Sequence, residues 1–187
     1  MARPRVYLAG PEVFLPDALD MGRRKCALAA EAGLEGVFPL DAALDLSGLS
    51  KPEQARAISL ANEGLMRACA GLIANLTPFR GVSMDAGTAF EVGFMRALGR
   101  PVAGYSNVTS EYAARARAYR ASGLRAGDSD GPDVAVEDFG LSENLMIEIA
   151  IVESGLRVER RAVAPGQEMR DLEAFKAGLA ALKAVLG

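Results

Sequence analysis

The sequence predicts an α/β fold: an open parallel sheet of about five strands with helices on both faces. Three observations carry this reading. Short apolar runs of strand length alternate with longer stretches of helical periodicity, which is the pattern of successive βαβ units. Glycine and proline stand at the junctions between them. The chain has 187 residues, 50% hydrophobic and 24% charged, enough for one sizeable core. Residues 1–187 therefore read as a single domain.

The elements follow in order. Val6-Tyr7-Leu8-Ala9 is a buried first strand closed by Gly10-Pro11, and Asp17 to Ala32 is an amphipathic helix that stops at Gly33. Gly36-Val37-Phe38-Pro39-Leu40 reads as a second strand, followed by a loop around Asp41 to Pro52. Pro52 and Glu53 open a long helix to Cys69, and Gly71 precedes the third strand, Leu72-Ile73-Ala74-Asn75-Leu76. The segment from Thr77 to Asp85 is too polar and too rich in breakers for either element, so it reads as a surface loop. A helix from Gly87 to Leu98 ends at Gly99-Arg100-Pro101, ahead of a fourth strand, Val102-Ala103-Gly104-Tyr105. Ser110 to Ser122 is helical, and Gly123 to Pro132 reads as a mobile loop. Helices at Glu143 to Glu153 and Asp171 to Leu186 flank a stretch, Arg157 to Gln167, with room for a short fifth strand.

Composition narrows the chemistry. There is no histidine, which removes Ser-His-Asp and Cys-His nucleophile pairs, His-ligated zinc and histidine bases together. Catalysis, where it occurs, must run on carboxylates. The formal net charge is −3 with scattered basic residues, so no nucleic-acid footprint is present. No stretch has the ~20 apolar residues of a membrane span, and no apolar leader precedes the first strand, so the expectation is a cytoplasmic protein. Cys26 and Cys69 form no CxxC pattern and read as reduced packing residues.

In an open parallel sheet, ligands bind beyond the carboxyl ends of the strands where the strand order reverses. The residues expected there are Gly10, Pro11 and Phe14 after the first strand, Asp41 after the second, and Asn75 through Asp85, including Phe79, after the third. The sharpest feature is Asp85-Ala86-Gly87-Thr88-Ala89-Phe90-Glu91, with one carboxylate in the loop and a second expected in the first turn of the helix. A first-turn carboxylate faces the positive end of the helix dipole and would stay ionised, as a nucleophile should. Asp85, in a different environment, would hold or pass a proton. Thr88-Ala89-Phe90-Glu91 equally fits a capping box that needs no chemistry, and the sequence leaves both readings open.

Taken together, Tyr7 to Phe14, Phe38-Pro39-Leu40-Asp41, Ile73 to Gly81, Asp85 to Gly93 and Asn144-Leu145-Met146 resemble the nucleoside 2-deoxyribosyltransferase family. The resemblance implies a flavodoxin-like (Rossmann-like) sheet and an enzyme that moves 2-deoxyribose between nucleobases. Glu91 matches the family's nucleophile, Asp85 its partner carboxylate, and Tyr7 a tyrosine that orients the nucleophile. Gly10, Pro11, Phe14, Asp41, Asn75, Phe79 and Gly87 would border the substrate. Asn144 and Met146 would complete a neighbouring subunit's sugar site, which implies a homo-oligomer. Asn62 stands where some relatives carry a carboxylate that serves the base, and an amide cannot donate a catalytic proton. The partners implied are a 2′-deoxynucleoside donor and a free nucleobase acceptor, with no metal or organic cofactor.

The mechanism expected is two substitutions at C1′ through a covalent deoxyribosyl-glutamate, with retention and ping-pong kinetics. One rival is a 2′-deoxynucleoside 5′-monophosphate N-glycosidase. Against it stands Glu12, whose carboxylate beside the first loop is expected to repel phosphate. A non-catalytic nucleotide-sensing module on the same architecture is the other.

Overall fold

The computed structural model describes residues 2–39, 44–123 and 133–187. Asp41 and most of the glycine- and aspartate-rich stretch between Gly123 and Pro132 lie outside them. The described chain runs β1 (Arg5–Ala9), a 3-10 turn (Pro11–Phe14), α1 (Ala18–Glu31), β2 (Glu35–Val37) and α2 (Lys51–Arg67). It continues through β3 (Gly71–Asn75), α3 (Ala86–Ala97), β4 (Val102–Ser106), α4 (Tyr112–Ala121), α5 (Leu145–Val152), β5 (Val158–Arg160) and α6 (Glu173–Leu186).

The strands pair in parallel in the order β2-β1-β3-β4-β5. This is the flavodoxin-like order, in which chain direction across the sheet reverses between β1 and β3 and opens a crevice at their carboxyl ends. Strand register sets which residues face which layer. Tyr7 pairs with Leu72 and Leu8 with Ile73. Tyr7, Ala9, Leu72 and Ala74 point to one face and pack with Met66 of α2, Val92 and Met95 of α3 and Ile151 of α5. Val6, Leu8, Ile73 and Tyr105 point to the other, against Met21 of α1 and Phe175, Leu179 and Leu182 of α6. With both faces covered, β1, β3 and β4 are apolar and almost wholly buried rather than alternating.

Helix ends follow local chemistry. At the α2 start Glu53 reaches back to Ser50 in the manner of a capping box, its Oε2 accepting the Ser50 amide at 2.8 Å and the Ser50 hydroxyl at 2.6 Å. The second strand is shorter than the sequence suggests, ending at Val37, because Phe38 leaves the ladder to bury its ring against the α1 layer and Pro39 has no amide to donate. Among the described residues no helix is long and apolar enough to cross a membrane. The short α5 is apolar apart from Glu148, and while Ala150 and Ile151 are buried, Met146, Ile149 and Val152 remain exposed.

Candidate active site

A cavity of about 310 Å³ opens beside the carboxyl end of β1. Six of the residues singled out from the sequence line it: Gly10, Phe14, Asn62, Asp85, Gly87 and Glu91. Val13, Pro39, Ile58 and Thr88 complete the wall. Ile58 and Asn62 are four residues apart on α2, so one helical face supplies both. That spacing was the available signal for Ile58; Val13, Pro39 and Thr88 lie within the segments that carry the family resemblance but were not singled out there.

Two expectations about Glu91 are corrected by the geometry. Glu91 is the sixth residue of α3, in its second turn, so the free amides of the helix start do not reach it. It is not a capping residue either. Asp85 caps α3, its Oδ2 accepting the Thr88 amide at 2.9 Å and the Thr88 hydroxyl at 3.1 Å. The cap falls three residues earlier than the Thr88 box requires because Asp85 already has extended backbone and a short acceptor side chain. Glu91 is left free to turn toward the sheet, where its Oε1 accepts the Tyr7 hydroxyl at 2.8 Å.

The electrostatics follow from burial. Removal from water pushes the Glu91 carboxyl up to about 7; the Asp85 charge adds to this, while the Tyr7 hydrogen bond and the Lys25 ammonium oppose it. Tyr7 is wholly buried, and burial together with the neighbouring Glu91 raises its hydroxyl far above the usual range, so it serves as a fixed donor. Close approach requires glycine at position 10 and leaves little room for a side chain at Gly87. A Cβ on Gly87 would stand 3.0 Å from Asp85 Oδ2, and one on Gly10 would stand 2.0 Å from Glu12 Oε2.

Glu12 itself overturns the electrostatic objection to phosphate. Its carboxylate is buried, not presented to the cavity, and accepts Lys25 Nζ at 2.9 Å, the Tyr105 hydroxyl at 2.7 Å and Asn75 Nδ2 at 3.0 Å. Lys25 is buried with it, and against the desolvation that raises the carboxyl, the Lys25 charge and the Tyr105 and Lys25 hydrogen bonds hold Glu12 below the usual carboxylate range. Asn75 thus belongs to a buried network, with its Oδ1 accepting the Thr77 amide at 3.0 Å, and lies outside the cavity lining.

Of the remaining residues expected at the site, Pro11, Phe79, Asn144 and Met146 lie outside the cavity lining. Pro11 opens the 3-10 turn and is buried. Phe14 and Phe79 stack at 5.5 Å with planes 9° apart, and the Arg80 guanidinium stands 4.8 and 4.6 Å from the two ring centres. Arg80 adopts φ 57°, the left-handed region, which bends the loop at this point. Asn144 caps α5 through the Met146 amide at 3.0 Å, and Met146 is 73% exposed; neither reaches the cavity of its own chain. Among the described residues no cluster of cysteine and acidic side chains could hold a metal ion.

Residues 6–146 match the nucleoside 2-deoxyribosyltransferase family. The chain belongs to that family. An uncharacterized protein of Schizosaccharomyces pombe is 32% identical over 166 residues, which span 81% of this chain and 79% of that one. A 2-desoxiribosyltransferase from Leishmania mexicana is 31% identical with a TM-score of 0.58, over 77% of this chain and 85% of that structure. A conserved protein from Enterococcus faecalis V583 shares the fold at 20% identity and a TM-score of 0.57, over 95% and 98% of the two chains. The deoxyribosyltransferase match covers β1 through the start of α5, and so includes the cavity wall, the Asp85 cap, Glu91 and the Asn144-Leu145-Met146 turn.

Proposed function

We propose that this deoxyribosyltransferase moves 2-deoxyribose from a 2′-deoxynucleoside to a free nucleobase through a covalent deoxyribosyl-Glu91. The observation that carries the reading is Glu91 itself: a desolvated carboxylate on the wall of a nucleoside-sized cavity, with one oxygen held by Tyr7. Tyr7 engages Oε1 and leaves Oε2 to attack C1′. As the C1′–N bond breaks, the sugar gains positive charge, and an anion in a low-dielectric pocket stabilises it far better than it would in water. The C1′–O bond forms, the departing base takes a proton from Asp85, and the incoming base reverses both steps from the opposite face. Both cap bonds of Asp85 use Oδ2, which leaves Oδ1 as the oxygen open to proton exchange with the base.

The rim supports substrate placement. Phe14 borders the base, and Asn62 offers an amide to its edge without serving as an acid. Asn144 and Met146 act in a second subunit's cavity within a homo-oligomer. The exposed apolar side chains of Met146, Ile149 and Val152 on α5 support that arrangement. The reaction belongs to deoxynucleoside salvage in the cytoplasm and calls on no cofactor. Deoxynucleoside 5′-monophosphate hydrolysis is the second reading, favoured by one observation: the paired and buried Glu12 does not oppose a phosphate.

The deciding assay incubates the protein with deoxynucleosides or deoxynucleotides, with and without acceptor bases. The expected result is exchange of bases on deoxynucleosides, and rapid quenching yields a deoxyribosyl adduct on the peptide carrying Glu91. Release of base from nucleotides alone, with no exchange, would transfer the assignment to the second reading.

A further inference from the structure

A second buried polar cluster lies between the loop that carries Asp85 and the turn that opens α5. Its centre is Glu143, whose side chain is wholly buried. Oε1 accepts the Ser83 hydroxyl at 2.6 Å and the Asn144 amide at 2.9 Å; Oε2 accepts the Met84 amide at 3.0 Å and faces Arg115 Nη2 at 3.4 Å. Arg115 reaches across the same gap, donating to the Val82 carbonyl at 2.7 Å and the Ser142 carbonyl at 2.7 Å. From the first turn of α5, Glu148 accepts the Ser142 amide and hydroxyl, each at 2.6 Å.

A buried carboxylate is a poor device for stability alone, since apolar side chains of similar volume do as well or better. What it supplies is direction. Four donors from three chain segments converge on one rigid, planar group, and their relative placement is fixed more narrowly than packing would fix it. Two of those donors matter for the cavity: Met84 immediately precedes Asp85, the α3 cap, and Asn144 is the α5 cap.

We propose that Glu143 is a positioning residue that clamps the Ser83-Met84 segment to the Asn144 turn and so sets where the Asp85 carboxyl stands on the cavity wall relative to Glu91. Its catalytic consequence rests on the reading given under the proposed function; its geometric content does not. Three charged or titratable groups act on Glu91: Tyr7 from β1, Lys25 from α1 and Asp85 from the α3 cap. Glu143 substitution leaves the first two in place and releases the third.

The test uses the full chain carrying Glu143→Gln, which keeps the shape but turns a donor toward the Met84 amide and Arg115, with Ser83→Ala as a milder second variant. The Glu91 carboxyl is titrated without substrate by carbon-13 NMR, its signal assigned by its loss in Glu91→Gln. With Asp85 displaced, the Glu91 midpoint falls by about 0.5 pH in Glu143→Gln and by less in Ser83→Ala. Turnover drops about tenfold in Glu143→Gln with KM within about threefold, the signature of a misplaced reacting group rather than lost binding. A lower melting temperature with the Glu91 midpoint and kcat both unchanged would overturn the proposal and leave Glu143 a structural clasp. Should Glu143→Gln fail to fold, Ser83→Ala decides by the same two readouts. A wild-type protein without transfer or hydrolysis would sink the functional reading while the NMR titration still judges Glu143.

Discussion

The Tyr7 hydroxyl donates to Glu91 Oε1 across 2.8 Å, joining the second-lying strand of the sheet to a helix 84 residues further along the chain. Tyr7 is the donor and stays protonated, so the bond is strongest when Glu91 is ionised and opposes the desolvation that raises its pKa.

Tyr7→Phe therefore shifts the acid limb of activity upward. The nucleophile works ionised, so the rate rises with pH through the Glu91 midpoint of about 7. Without the hydroxyl the midpoint moves up by about 0.5–1 pH, with a loss of about three- to tenfold below neutrality that recovers near pH 9. A pH–rate profile of the variant checks this, and an unmoved limb would show that the bond does not act on Glu91 ionisation.

Glu91→Gln abolishes transfer and yet stabilises the protein above neutrality. The folded-state pKa, about 7, lies above the ordinary carboxyl value of 4.5, so the wild type loses stability as pH rises from 4.5 through 7. Glutamine keeps the acceptor for Tyr7 and never ionises. The gain is about 1–3 kcal/mol at pH 8, or about 2–8 °C in melting temperature, and vanishes near pH 4. Thermal unfolding at both pH values measures the difference; a variant less stable than wild type at pH 8 contradicts the strain assigned to this carboxylate.

Lys25→Met strips the buried Glu12 of its counter-ion and costs about 3–5 kcal/mol, because the carboxylate must then sit uncompensated or take up a proton. Adding Glu12→Gln removes the orphaned charge, so the double variant is more stable than Lys25→Met alone. Urea unfolding of the four-member cycle reports this, and additive losses would mean that the pair at 2.9 Å is not coupled.

Mixing tests whether Asn144 serves a neighbour. Glu91→Gln and Asn144→Ala are each expected to be nearly inactive alone. In a hybrid dimer one site combines an intact Glu91 with the partner's intact Asn144, so reassociation of equal amounts restores up to about a quarter of wild-type activity. Absence of recovery in hybrids verified by native mass spectrometry would place Asn144 in its own chain's chemistry.

Much of this molecule was legible before any tertiary information. The alternation of buried strands and amphipathic helices, and the loop after β3 that ends at Asp85, follow from periodicity and turn chemistry that act over a few residues. The gathering of Gly10, Phe14 and Asp85 around one cavity agreed with the strand-end rule for open sheets, while Asn62, from the middle of α2, was reached only through the family resemblance. The cap of α3 was not legible, since Asp85 and Thr88 both satisfy the local preference and only the backbone path chooses between them. Nor was the state of Glu12, whose number of charges in the sequence says nothing of the Lys25, Tyr105 and Asn75 donors that surround it.

The sequence by itself determined the order of the elements, the parallel sheet and the presence of two carboxylates near the start of one helix, because each is set by neighbours in the chain. Tertiary structure alone decided what those carboxylates are: Asp85 a cap with one oxygen engaged, Glu91 a desolvated group near neutrality tied to Tyr7. The physical reason is that ionisation depends on dielectric surroundings and charges within a few ångströms, and at this site the nearest of them come from strands and helices far apart in the chain.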